Sequence, residues 1–243
     1  MTTAPGPRRG RFLWLRRQEF RDVLPPASEA LRDPEGLLAL GGDLAPQTLL
    51  RAYAAGIFPW FGPQDPLLWW SPDPRLVLHP AQVHVSRSLG KRLRAGSYRV
   101  SFDRAFDAVI EACAGPRAAG TGTWLTPAMR TAYRALATDG YAHSVETWAG
   151  DALVGGLYGL ALGRVFFGES MFSHAPDASK VALVHLCRRL HARGFVLVDC
   201  QVGSAHLRSL GAVDMPRGEF LTCLAGHAQG AAPSGPWHAD DDL

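Results

Sequence analysis

The stretch from Asp151 to Gln201, DALVGGLYGLALGRVFFGESMFSHAPDASKVALVHLCRRLHARGFVLVDCQ, constrains the fold of this chain more than any other. Two glycine-punctuated apolar segments, Leu153–Leu162 and Val165–Gly168, predict neighbouring strands joined near Gly163-Arg164. A helix is expected to begin with Asp177 as its N-cap and to stop at Gly194, a residue type suited to the turn just beyond a helix. Phe195–Cys200 reads as a strand buried on both faces, because its apolar run is continuous and does not alternate. Into this apolar frame the chain sets three polar groups, Glu169, Asp199 and Gln201. Two apart on one strand, Asp199 and Gln201 are expected to leave the same face, with Glu169 just past the end of a neighbouring strand. For an isolated D-x-Q the bland reading, a polar strand end capping a loop, is preferred. Glu169 reverses that preference, because a carboxylate among Phe166, Phe167, Met171 and Phe172 needs a partner.

Elsewhere the composition mostly excludes. The 243 residues suffice for one large domain, or a small domain on a larger one. With 47% hydrophobic and 19% charged residues, no apolar segment long enough to span a bilayer and no secretory leader in MTTAPGPRRGRFLWLRR, the expectation is a soluble cytoplasmic protein without membrane association. Cys113, Cys187, Cys200 and Cys223 form no C-x-x-C pair and read as reduced core thiols, Cys200 on the strand face opposite Asp199 and Gln201. His143 and His206 lie closest to the candidate site, but no histidine spacing resembles a metal set, so no metal is expected. A net charge of +3 is too small to argue for nucleic acid by itself. The cluster Arg87, Lys91, Arg92, Arg94 and Arg99 permits phosphate contact without showing it, since such clusters are usually solvated faces.

Residues 1–10 and 231–243 are expected to be disordered, being rich in Pro, Gly and Ala or acidic. Between them the reading is a small N-terminal domain over 11–90 and a catalytic domain over 91–230, with the boundary between Pro80 and Gly96. A first helix fits Pro46–Ala55, with Asp43 nearby as a cap. The aromatic, proline-rich block Ile57–Arg75 reads as irregular and serves either as a rigid pocket wall, through residues such as Trp60, or as glue between domains. A helix from Asp103 places Phe106, Val109, Ile110 and Cys113 on one stripe; another, capped by Thr126 with Pro127 at its first position, ends at Gly140; Ala142–Trp148 fits a strand. This order suggests an α/β (α+β) fold with an acyltransferase-like core.

Read together, LLALGGDL, AYAAGIFPWF, LWWSPDPR, TWLTPAM, AHSVETW, GGLYG, FFGESMFS, ASKVAL, DCQ and SLGA occur in one order between Leu37 and Ala212. In that order they closely resemble the bacterial leucyl/phenylalanyl-tRNA–protein transferases over about Pro25–Leu224, with Leu24 and the tail after Leu224 departing from the pattern. The resemblance implies a GNAT-like core and transfer of Leu or Phe, Met less well, from Leu-tRNA or Phe-tRNA to the α-amine of proteins beginning with Lys or Arg. The product is marked for degradation, and neither cofactor nor DNA is involved. It implies Asp199, Gln201 and Glu169 as catalytic residues, Trp124 near the terminal adenosine and Leu157 in the amino-acid pocket. Trp60, Phe166 and Met171 join the substrate-binding set, and Arg87, Lys91 and Arg92 the RNA-binding set. An acetyl-CoA-dependent enzyme of the same fold is disfavoured, because no glycine lies between Met171 and Ser179 to open a helix onto pyrophosphate. A non-catalytic RNA-binding module leaves Glu169, Asp199 and Gln201 unexplained.

Overall fold

Two sheets share the chain, and the join between them falls inside the proline-rich block. The computed structural model describes residues 13–15, 24–115, 125–228 and 235–237, the first of these by backbone alone. The smaller unit holds β1 (Leu13–Leu15), β2 (Leu37–Gly41), α1 (Pro46–Ala54), β3 (Phe58–Pro59) and β4 (Leu68–Trp70). Its sheet has the order β1-β2-β4-β3. The Asp43 carboxylate accepts from Ala45 N and Thr48 Oγ1, at 3.1 and 2.7 Å, and so stitches the start of α1 from two residues ahead of the capping position.

The larger unit runs through β5 (Arg75–Leu78), α2 (Arg87–Arg94), β6 (Arg99–Phe102), α3 (Phe106–Ala114), α4 (Pro127–Thr138), β7 (Ala142–Ala149), β8 (Ala152–Leu162) and β9 (Val165–Ser173). It continues with α5 (Ala178–Ala192), β10 (Leu197–Gln201), α6 (Ala205–Arg208), β11 (Val213–Met215) and α7 (Arg217–His227). The mixed sheet has the order β11-β5-β10-β9-β8-β7-β6, with β10 parallel to β9 through the α5 crossover and antiparallel to β5. β5 thus belongs to the larger sheet although it precedes the segment 80–96 where the sequence reading puts a boundary. Four residues following two prolines give no strand signal of their own, yet all four are buried.

Close approach explains the glycines of β8. A Cβ on Gly155 would lie 2.5 Å from the Ala178 Cβ, so glycine there lets α5 lie directly on the sheet, where Thr147 Oγ1 also donates to the Ala178 carbonyl. α5 does start after Asp177, but by different chemistry from that expected. Asp177 adopts φ 63° and its carboxylate meets Lys180 and Arg92 at 2.9 and 3.2 Å, while Ser173 Oγ accepts from Ser179 N. Thr126 caps α4 as read, accepting from Met129 N. Asp103 does not open its helix, which starts at Phe106; with φ 52° it turns its carboxylate to His143 Nδ1 and Ser144 N. Within the segment expected to be disordered, Trp237 is fully buried, its ring stacked on His143 beside Phe166. Among the described residues no helix is long and apolar enough to cross a membrane.

Candidate active site

Glu169 lies inside β9, which runs on to Ser173, and not beyond the strand end where the sequence reading put it. The β10 strand bulges against β5 between Asp199 and Gln201, and Gln201 takes φ 59°, a left-handed conformation uncommon outside glycine and typical of functional sites. The expected alternation therefore fails at this step. Asp199 is fully buried behind the sheet end, while Cys200 and Gln201 both reach the cavity. Burial and the neighbouring Asp199 hold the Cys200 thiol far above its ordinary range, so it is an inert wall.

Asp199 is held by Arg75, a residue the sequence reading did not single out. Arg75 Nε and Nη2 donate to the two carboxylate oxygens at 2.8 and 2.7 Å, and Nη1 donates to the Gly56 carbonyl at 3.1 Å. The guanidinium is sandwiched between Phe58 and Phe220, 4.7 Å from each ring centroid. Asp199 Oδ1 also accepts from Gln201 N at 2.9 Å, which pins the strained residue that follows. This is a bidentate, charge-assisted pair, buried on both sides.

Among the described residues, the hydrogen-bond partners of Glu169 are neutral groups and not a cation. Its Oε1 accepts from Gln201 Nε2 at 2.9 Å and its Oε2 from Tyr133 Oη at 2.7 Å. Tyr53 also hydrogen-bonds Glu169, and its hydroxyl lies 2.6 Å from that of Tyr133, so the two phenols and the carboxylate form one network. Burial, and then the Glu169 charge, push both phenols well above their ordinary value, so both are neutral donors. Desolvation is also the main force on Glu169, assisted by Asp199 and opposed by the tyrosine and glutamine hydrogen bonds; its pKa is raised from 4.5 to about 7. Tyr53 and Tyr133 were hidden in apolar helix stripes, where only their need for a hydroxyl partner could have marked them.

The cavity in front of these groups has two parts. An outer chamber of about 330 Å³ is lined by Phe58, Trp60, Glu169, Met171, Gln201 and His206. An inner one of about 120 Å³ shares Glu169, Met171 and Gln201 and is walled by Leu157, Phe166 and Leu186. Of the candidate substrate-binding residues, Trp60, Leu157, Phe166 and Met171 therefore meet at one site, and Trp124 lies outside the described residues. Arg87, Lys91 and Arg92 line neither chamber; Arg87 and Lys91 are exposed on α2, whereas Arg92 is tied to Asp177 and packs over Tyr98.

The model of the leucyl/phenylalanyl-tRNA protein transferase family matches residues 77–225, and that of the same family's N-terminal domain matches residues 42–73. Similar proteins include the leucyl/phenylalanyl-tRNA–protein transferase of Chromohalobacter salexigens, 58% identical over 226 residues that cover 93% of this chain and 88% of the relative. That of Alkalilimnicola ehrlichii is 53% identical over 234 residues, covering 96% and 91%. Two solved structures are similar at 12% identity: L-PGS from Bacillus licheniformis, with a TM-score of 0.39 over 62% of this chain and 50% of that one, and a GCN5-related N-acetyltransferase from Kribbella flavida, with 0.37 over 68% and 58%. Likenesses that partial carry no weight on either fold or function. The family matches do: the chain belongs to the leucyl/phenylalanyl-tRNA–protein transferase family.

Proposed function

We propose that this aminoacyltransferase takes Leu or Phe, and Met less well, from its tRNA ester and joins it to the α-amine of a protein beginning with Lys or Arg. The acceptor is thereby marked for degradation in the cytoplasm. One observation carries the chemistry: a carboxylate without a cation, Glu169, and the carboxamide of Gln201 meet where an apolar chamber joins a wider one. The inner chamber suits the Leu or Phe side chain, with the ester carbonyl at its mouth.

The ester is already activated, and an N-terminal amine with a pKa of about 7.7–8.0 is partly neutral at cellular pH. Catalysis therefore asks for positioning and a proton acceptor. With its NH2 on Glu169, Gln201 keeps its carbonyl oxygen for the incoming amine. The amine nitrogen bonds to the ester carbon, and the bond from that carbon to the ribose oxygen breaks. Glu169, with a pKa of about 7, is matched to take the amine's proton and return it to the leaving oxygen. In this arrangement Asp199 orients, since both its oxygens are engaged by Arg75 and it does not line the cavity. A neighbouring groove of about 230 Å³ shares Phe58, Trp60 and Val202 with the outer chamber and offers Glu35 to a cationic side chain. The exposed Arg87 and Lys91 provide phosphate contacts for the tRNA, and Trp124 is assigned to its terminal adenosine by the family resemblance.

The test is transfer of radiolabelled Phe from Phe-tRNA to otherwise identical proteins beginning with Arg or with Gly. Label on the Arg protein alone supports the proposal. Equal labelling of both refutes the acceptor assignment, and labelling of neither refutes the reaction.

A further inference from the structure

Trp237 lies beyond both matched segments, 42–73 and 77–225, yet it is among the largest fully buried side chains of the described molecule. Its ring stacks on His143 at a centroid distance of 3.9 Å and an interplanar angle of 8°, and its backbone N donates to Asp103 Oδ2 at 2.5 Å. The Arg189 and Arg193 guanidinium carbons lie 5.6 and 5.4 Å from the ring centroid. A tail residue held this way, by a stack, a carboxylate and two cations, is docked in one orientation.

What it docks against gives it a role. Phe166 lies 5.9 Å from the Trp237 ring and is itself a wall of the inner chamber. Gly159 leaves that ring no slack on β8: a Cβ there would meet it at 2.6 Å. Phe166 thus packs against both β8 and the tail, so the wall it gives the chamber is set in part by Trp237. We infer that Trp237 is a positioning residue for amino-acid selection, setting through Phe166 how large a side chain the inner chamber admits. This rests on the reading that the chamber receives the Leu or Phe side chain.

Trp237→Ala and the more conservative Trp237→Leu, made in the full chain, are compared with wild type in kcat/KM for Phe-tRNA and Leu-tRNA and in Tm. Phe166 is expected to withdraw into the vacated slot, so that the Phe-to-Leu ratio rises by about tenfold, the low end of what one methylene in a pocket is worth. Trp237→Phe is expected to restore most of the wild-type ratio. A fall in Tm with both substrates reduced equally would mean a structural role only and overturns the inference, as does an unchanged ratio in whichever of the Ala and Leu variants folds. Leu157→Trp in the same chamber separates the two levels of argument. If it changes the ratio and the Trp237 variants do not, the inference fails alone; if neither changes it, the placement of the amino-acid pocket fails with it.

Discussion

Asp199 and Glu169 lie on the adjacent parallel strands β10 and β9, joined through one glutamine, and have opposite electrostatic fates. Arg75 surrounds the first with two short charge-assisted bonds, so burial strengthens the pair. Three neutral donors, Gln201 and two tyrosines, surround the second, and burial works against its charge. The same residue chemistry thus serves as an anchor in one place and as a group poised near neutrality a few ångströms away. A cation decides which.

Removing charge from the anchor should have the largest effect on the fold. Asp199→Asn leaves the Arg75 guanidinium buried without its counter-charge, and a cost of about 3–5 kcal/mol is expected in denaturant unfolding. Loss of under 1 kcal/mol would mean that the pair is not the anchor described. Glu169→Gln should spare the fold while lowering turnover by roughly two to four orders of magnitude, the usual contribution of a placed proton acceptor. Near-wild-type rates in that variant at saturating aminoacyl-tRNA would remove Glu169 from the chemistry.

The pH dependence of stability separates the two carboxylates further. The folded-state pKa of Glu169 is raised, so the folded protein holds this proton more tightly than the unfolded chain. Its contribution is complete below about pH 4.5 and is lost as pH rises to about 7. Wild type should therefore lose on the order of 3 kcal/mol relative to Glu169→Gln across that window, measured as the difference between two pH series of urea melts. A difference that does not change with pH would show that Glu169 titrates normally. A smaller effect is expected from Tyr133→Phe. Removing a hydrogen bond that lowers the Glu169 pKa should move the acidic limb of the activity profile to higher pH, with the amine limb of the common acceptor unchanged. A shift toward lower pH would contradict the donor role assigned to Tyr133. The smallest effect belongs to the exposed helix. Arg87→Ala with Lys91→Ala should flatten the salt dependence of tRNA binding by about two log–log units, one per phosphate contact, and adding Arg92→Ala should flatten it little further, because that side chain is tied to Asp177.

Legibility in the sequence followed from contrast. Glu169, Asp199 and Gln201 were visible as polar residues in apolar runs, and the crossover helix from its terminal glycine, while the capping chemistry read for Asp177 was not the one that forms. Arg75 was not, because it closes a proline-rich segment, SPDPR, whose short continuation gives no periodicity. Tyr133 follows Met129 and Ala132 and precedes Leu136 on a buried stripe, so its ring reads as core and only its hydroxyl speaks for a site. The bulge after Asp199 left no trace, since nothing in Asp-Cys-Gln calls for a left-handed residue. For Trp237 the surrounding Pro, Gly and Ser argued for disorder, and a single large ring outweighed them.

β5, reached directly from the smaller sheet, is an interior strand of the larger one, flanked by β10 and β11, and its first residue is Arg75. The front of the chain therefore cannot be cut away behind β5. Cutting anywhere between residues 80 and 96 would take away the cation that Asp199 depends on and bare the backbone of two strands, an invitation to pair with other chains. Any recombination that preserves activity in this family is expected to cross over ahead of the strand, between β4 and Arg75.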